Sequence, residues 1–200
     1  MADHTAPAAA ARPGSVTTSS YLLYVYAALS VIGGIANLSI IGKMTDVYRD
    51  AYEGTSAEGT EGTIAVTSVI TGVIGLLLAA AFVVLAIFNN RGKNASRIVT
   101  WVLGGISLCC GGFGVVGTLF SGSMNFGSQE GVPDAAEIQR RLEDALPGWY
   151  FPLSLATALI GLLALVVALI LLALPPSNEF FRKPTAVWEP PVPESPQSGS

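Results

Sequence analysis

Four apolar runs, 21–42, 63–88, 98–120 and 149–174, contain no Asp, Glu, Lys, Arg or His. Each exceeds the roughly 20 residues of helix that a bilayer core requires. The chain is therefore expected to be all-α, an integral membrane four-helix bundle built as two tandem helical hairpins with disordered tails. Of the 200 residues, 51% are hydrophobic and only 12% charged, and the charges fall almost wholly outside the runs. Four spans then leave two tails, one short turn and two loops, with no room for a soluble catalytic domain. The expected organisation is a disordered cytoplasmic tail over 1–20, a transmembrane domain over 21–174 and a Pro-rich cytoplasmic tail over 175–200.

Lys and Arg set the expected orientation. The turn between the second and third runs holds Arg91, Lys93 and Arg97 with no acid, and Arg182 and Lys183 follow the fourth run. These read as cytoplasmic, while the two remaining loops are strongly acidic and read as external. Both termini are then cytoplasmic in a multi-pass protein of the plasma membrane. The first run reads as a retained helix, because its leader is long and nearly uncharged and no clean cleavage site follows.

The segment up to Ser20 is Ala, Pro, Ser and Thr with few large apolar side chains, so it reads as disordered. The tail from Pro175 is Pro-rich, with residues 189–196 favouring an extended polyproline spacer, and Phe180, Phe181, Arg182 and Lys183 read as a headgroup-layer anchor. In the first external loop, Met44, Val47, Tyr48 and Tyr52 continue a helical stripe, followed by Glu-Gly-Thr triplets at 53, 58 and 61 that lack the spacing of a calcium loop. The second external loop carries a capping-box signature, Asp134 with Glu137, before an apolar face of Ile138, Leu142 and Leu146. Glu137 with Arg141 and Arg140 with Asp144 can support this short helix as i, i+4 pairs, and Pro147-Gly148 should end it. Its apolar face is expected to pack on the chain's own spans or on lipid.

Shifted by 86 residues, the second and fourth runs match at Ser68 and Ser154, at Thr71 and Thr157, and through Ile74-Gly75-Leu76-Leu77 and Ile160-Gly161-Leu162-Leu163. Val31-Ile32-Gly33-Gly34-Ile35 likewise parallels Val102-Leu103-Gly104-Gly105-Ile106. Small residues recur at near-heptad spacing: Ser68, Gly72 and Gly75; Gly104, Ser107, Gly111 and Gly114; Ser154, Ala158 and Gly161. In lipid, such residues let helices approach closely, so these are the candidate packing positions. Gly75 and Gly161 are expected at helix crossings, Val83 and Leu169 toward lipid, and the Gly-rich third run innermost or lining a second contact.

The spans offer little chemistry. Proton relays, ion-coupled transporters and voltage sensors nearly always carry charged groups within their spans, and none is present. Asn37 is the most polar membrane residue, suited to a hydrogen bond with a neighbouring helix or to a ligand. Cys109 and Cys110 read as small packing residues, and His4, the one histidine, lies far from any span. Phosphate-loop, H-E-x-x-H and G-x-S-x-G signatures are absent. No catalytic, metal or cofactor residues are therefore expected.

The Pro/Ala-rich start, the four spans, the Asn90-Arg91-Gly92-Lys93-Asn94 turn and the Pro-Pro-Ser-Asn-Glu-Phe-Phe exit at 175–181 resemble small uncharacterised four-transmembrane-helix membrane proteins of actinobacteria. That resemblance implies a bacterial plasma membrane and supplies no functional residues. The expected function is a non-enzymatic structural or protein-interaction role in the cell envelope, with a small permease or channel subunit acting as an oligomer as the alternative. The expected partners are the lipid bilayer, a second copy or other membrane proteins, and no nucleic acid. A polar path would favour the alternative, and the sequence offers only Ser, Thr and Asn scattered over different spans.

Reporters placed after Ser200 and within residues 53–62 are expected on opposite sides, the former in the cytoplasm. Finding both on one side would remove the four-span map.

Overall fold

Lipid offers the backbone no hydrogen-bond partners, so a spanning segment must satisfy its own N–H and C=O groups as helix. The computed structural model describes residues 12–120 and 133–182, and these form α1 (Gly14–Tyr52), α2 (Glu61–Asn90), α3 (Asn94–Phe120), α4 (Ala135–Ala145), α5 (Tyr150–Ala173) and α6 (Pro175–Phe181). Four of them, α1, α2, α3 and α5, are long and apolar enough to cross a membrane. The start of α1 and all of α6 lie together at one end of the bundle, called here the terminal end. The α1–α2 connection and α4 lie at the other, the loop end.

α1 organises the bundle. It packs along both α2 and α5, whereas α3 packs on α5 and more sparingly on α2 and barely meets α1. Of the two places expected for the Gly-rich third span, the innermost one is thus taken by α1. The reason lies in two adjacent glycines, whose side-chain directions differ by roughly 100° around a helix of 3.6 residues per turn. A methyl group on Gly33 would sit 3.6 Å from Thr157 Oγ1 of α5, and one on Gly34 would sit 3.4 Å from Leu76 of α2. One Gly-Gly step thus admits a neighbour on each side. On α3 only one row of glycines faces inward: Gly104 against Leu169 at 3.0 Å and Gly111 against Leu162 at 3.1 Å. A methyl group on Gly105, Gly112, Gly114 or Gly117 would meet nothing within 4 Å.

The repeat acts through its leucines. Leu76 seats on Gly34 of its hairpin partner, and the matched Leu162 seats on Gly111 of its own. The two matched glycines are not equivalent: a methyl group on Gly161 would sit 3.5 Å from the Tyr26 ring, but one on Gly75 would meet nothing within 4 Å. Leu169, expected toward lipid, is buried against Gly104, while Val83 remains exposed.

At the terminal end α1 begins at Gly14, so residues 14–20 are helical rather than part of a disordered tail. The shortage of large apolar side chains there is offset by tertiary bonds. Ser19 Oγ donates to Ala168 O at 2.9 Å, Ser20 Oγ to Ala86 O at 3.3 Å, and Val16 packs with Leu172 and Phe181. Residues 175–181, the start of the Pro-rich tail, form α6, since Pro175 and Pro176 are tolerated in a helix's first turn. Phe181 is buried, so the expected aromatic anchor turns inward. Residues 1–11 and 183–200, with the remaining tail expectations, lie outside the described residues.

A buried polar network closes the α2–α3 turn. Asn89 Nδ2 donates to Thr100 Oγ1 at 3.0 Å, Ser96 Oγ reaches Asn89 Oδ1 at 2.7 Å, and Thr100 Oγ1 donates to Ser96 O at 2.8 Å. Gly92 takes φ +70, and a side chain there would meet the Phe180 ring at 3.2 Å, so glycine is required on two counts.

At the loop end α1 runs on to Tyr52, and its 39 residues extend roughly 58 Å, well beyond a bilayer core. α4 packs on this overhang, where Ile40, Leu142 and Leu146 form a buried cluster with Met44, Val47 and Tyr48 around it. Asp134 caps α4 by accepting from Glu137 N at 2.7 Å, and Arg141 pairs with Glu137 at 2.9 Å. Arg140 pairs with Glu137 as well, at 2.7 Å, rather than with Asp144.

Gly104→Leu is expected to destabilise the protein by about 1–3 kcal/mol, because Leu169 already fills the space it would enter. Gly105→Leu, one residue on, should be nearly neutral. Thermal unfolding of both variants in detergent makes the comparison, and equal stability would remove the α3–α5 contact.

Candidate functional site

Side-chain size divides the spans into two layers. Toward the terminal end, Leu23, Phe82, Leu85, Ala86, Leu165 and Ala168 fill the space between the helices, and Phe82 is fully buried. Toward the loop end the facing residues are Gly, Ala, Ser, Thr and Asn, which are too small to fill it. Two adjoining clefts remain, of about 300 Å³ and about 360 Å³, on either side of α1. Both are lined by Ser30, Gly33 and Asn37, which span two turns of α1, about 10 Å.

The larger cleft faces α2 through Thr67, Ser68, Thr71, Gly72 and Gly75. The other faces α5 and α3 through Tyr150, Ser154, Thr157, Gly161, Ser107 and Gly111, with Ala158 also on its wall. The matched pairs Ser68/Thr71 and Ser154/Thr157 therefore line the two clefts from opposite flanks of α1. Their i, i+3 spacing at the same repeat offset is the signal by which the sequence could have revealed the site.

The hydroxyls are not equivalent as hydrogen-bonding groups. Ser30 donates to Tyr26 O at 2.9 Å, Ser68 to Ile64 O at 2.9 Å, Ser154 to Phe151 O at 2.9 Å and Thr157 to Leu153 O at 2.8 Å. With their protons committed to the backbone, these oxygens can only accept from anything in the clefts. Asn37 Nδ2 makes a long bond, 3.4 Å, to Tyr150 Oη, whose own proton has no acceptor among the described residues. Ser107 is 8% exposed, and its buried Oγ has no partner among the described residues. Such a group costs desolvation energy that no described side chain recovers.

The floor is closed by Tyr26, whose ring packs edge-on against Phe82 with centroids 5.0 Å apart. The cleft on the α5 side thus ends on the packed layer. No ionisable side chain other than Tyr26 and Tyr150 lines them.

Of the packing candidates, Ser68, Gly72, Gly75, Ser107, Gly111, Ser154, Ala158 and Gly161 share this lining with Asn37. Gly104 instead lies in the α3–α5 contact, and Gly114 lines neither cleft. Cys109 and Cys110, expected as small packing residues, are exposed on α3. Tyr150 and Ser30 were not singled out by sequence reasoning. Tyr150 sits at the boundary of an apolar run, where an interfacial aromatic is the ordinary expectation.

Ser107→Ala is expected to leave stability unchanged or to raise it by up to about 1 kcal/mol, because the hydroxyl it removes is unpaired. Chemical unfolding in detergent measures this, and a loss beyond about 1 kcal/mol would mean that Ser107 makes a bond the described geometry lacks.

No family model, curated protein or solved structure matches this chain, so the standing of these residues rests on their placement and chemistry.

Proposed function

We propose that this is a non-enzymatic integral membrane protein that binds a small uncharged ligand in the clefts beside α1, as a small permease or channel subunit would. One observation carries the reading: small polar residues of four spans line two adjoining clefts that share Ser30, Gly33 and Asn37, and Ser107, on the wall of one, is buried with its hydroxyl unpaired among the described residues. The absence of formal charge favours an uncharged ligand, because an ion would meet no countercharge in a medium of low dielectric. The predominance of accepting oxygens favours a ligand rich in O–H or N–H donors. The volumes fall at the lower end of the range for ligand pockets, which favours a small one. In the proposed orientation, with cytoplasmic termini in a plasma membrane, the clefts lie in the outer half of the bundle. Passage through the bundle would need the packed layer around Phe82 to move.

A second reading, a structural or protein-interaction role, is favoured by α3. Gly105, Gly112 and Gly117 have open space beside them, and Phe113 is 80% exposed, so this face supports association with a second copy or another membrane protein.

The test is thermal stability of the protein in nanodiscs, titrated with glycerol, urea and acetamide and, in parallel, with acetate and choline. A saturable stabilisation by at least one neutral compound, and by neither ion, is expected. Asn37→Leu and the near-isosteric Thr157→Val should each weaken it severalfold. A response to none of the neutral compounds, or one unchanged in both variants, would overturn the reading.

A further inference from the structure

The widest cavity described lies at the terminal end, remote from the clefts. It measures about 630 Å³ and is lined by Asn94 and Arg97 of α3, by Pro175, Asn178 and Glu179 of α6, and by Arg182 just beyond. We infer that it holds the phosphate of an anionic phospholipid headgroup.

Arg97 is held in place before any ligand arrives. Its guanidinium lies over the Phe181 ring, 5.5 Å from the centroid, and its Nη2 donates to Asn178 Oδ1. Asn178 Nδ2 in turn reaches Ala173 O at 3.4 Å, and Phe181 is buried against Val16 and Leu172. A flat cation stacked on a fixed ring and tied through one edge keeps its other donors for a second acceptor, and the planar fork matches a phosphate. The Arg182 side chain has no partner among the described residues and shares the cavity. Glu179 is the one acid in the lining; it forms no ion pair with either arginine and weakens the site without neutralising it.

The surroundings select a lipid over a free anion. Trp101, one turn along α3 from Arg97, is exposed, as are Ile98 and Val102 beside it. Leu174, which directly precedes Pro175, is exposed too. A phosphate group at the arginines therefore has apolar helix surface next to it on the membrane side, where acyl chains lie. Free phosphate would use the arginines alone. Basic pockets between spans on one side of a bilayer recognise headgroups in this way.

The experiment uses the full chain in neutral detergent, with binding followed by native mass spectrometry and by thermal shift. Phosphatidylglycerol should bind saturably and stabilise, whereas phosphatidylcholine and inorganic phosphate should not. Arg182→Gln should weaken phosphatidylglycerol binding about fivefold, and Glu179→Gln should strengthen it by a similar factor. Arg49→Gln, at the loop end, should do neither. Arg182 and Glu179 are exposed, so both variants should fold, while Arg97→Gln also loosens α6 and is used only beside them. Equal binding of phosphatidylcholine, a matching effect of inorganic phosphate, or insensitivity to both Arg182→Gln and Glu179→Gln would each overturn the inference.

Discussion

Two helices meeting in lipid gain nothing from excluding water, so their association depends on how closely their backbones and side chains can approach. The Gly33-Gly34 step of α1 meets this constraint on two sides at once. Gly33 admits α5 and Gly34 admits α2, which makes α1 the axis around which the other spans are arranged. α3 has several glycines but only one inward row, Gly104 and Gly111, and so joins the bundle by its contact with α5. The count of small residues on a helix matters less than the directions in which they face.

The same economy of volume creates the clefts. Where Leu23, Phe82 and Leu165 meet, the interior is full; where Gly33, Gly72, Gly75, Gly111 and Gly161 meet, it is not. A residue small enough to permit close packing on one face leaves space on another, and the polar residues beside it inherit that space. Buried polar groups are treated oppositely at the two ends. At the terminal end Asn89, Ser96 and Thr100 satisfy one another, which ties the α2–α3 turn down. In the clefts Asn37 and Tyr150 hold each other at 3.4 Å and Ser107 holds nothing. The base is therefore stapled by mutual hydrogen bonds, while the polar groups beside the clefts are less fully paired among the described residues.

The match at an offset of 86 residues was legible because it lies in the sequence itself, in Ser68 with Ser154 and Thr71 with Thr157. Its mechanical meaning was not. Leu76 and Leu162 fill glycine notches on their partners, yet a leucine in an apolar run is indistinguishable from its neighbours until the facing helix is known. Gly75 and Gly161 look alike in sequence and differ in space, since the crossing beside one is absent beside the other. Leu169 shows the same ambiguity, because apolar residues suit lipid and protein interiors equally.

Sequence alone determined the number of long apolar helices, the capped α4 with its Glu137–Arg141 pair, and the lack of charge within the spans. All of these depend on local periodicity, on neighbours three or four residues apart, or on composition. Only the tertiary structure decided that α1 is central, that residues 14–20 are helical, that Phe181 turns inward, and that Ser30, Asn37, Ser107, Tyr150 and Thr157 share one space. These depend on the rotation of each helix about its own axis. In lipid no contrast between apolar and polar surroundings sets that rotation, so it follows from the mutual fit of side chains far apart in the chain.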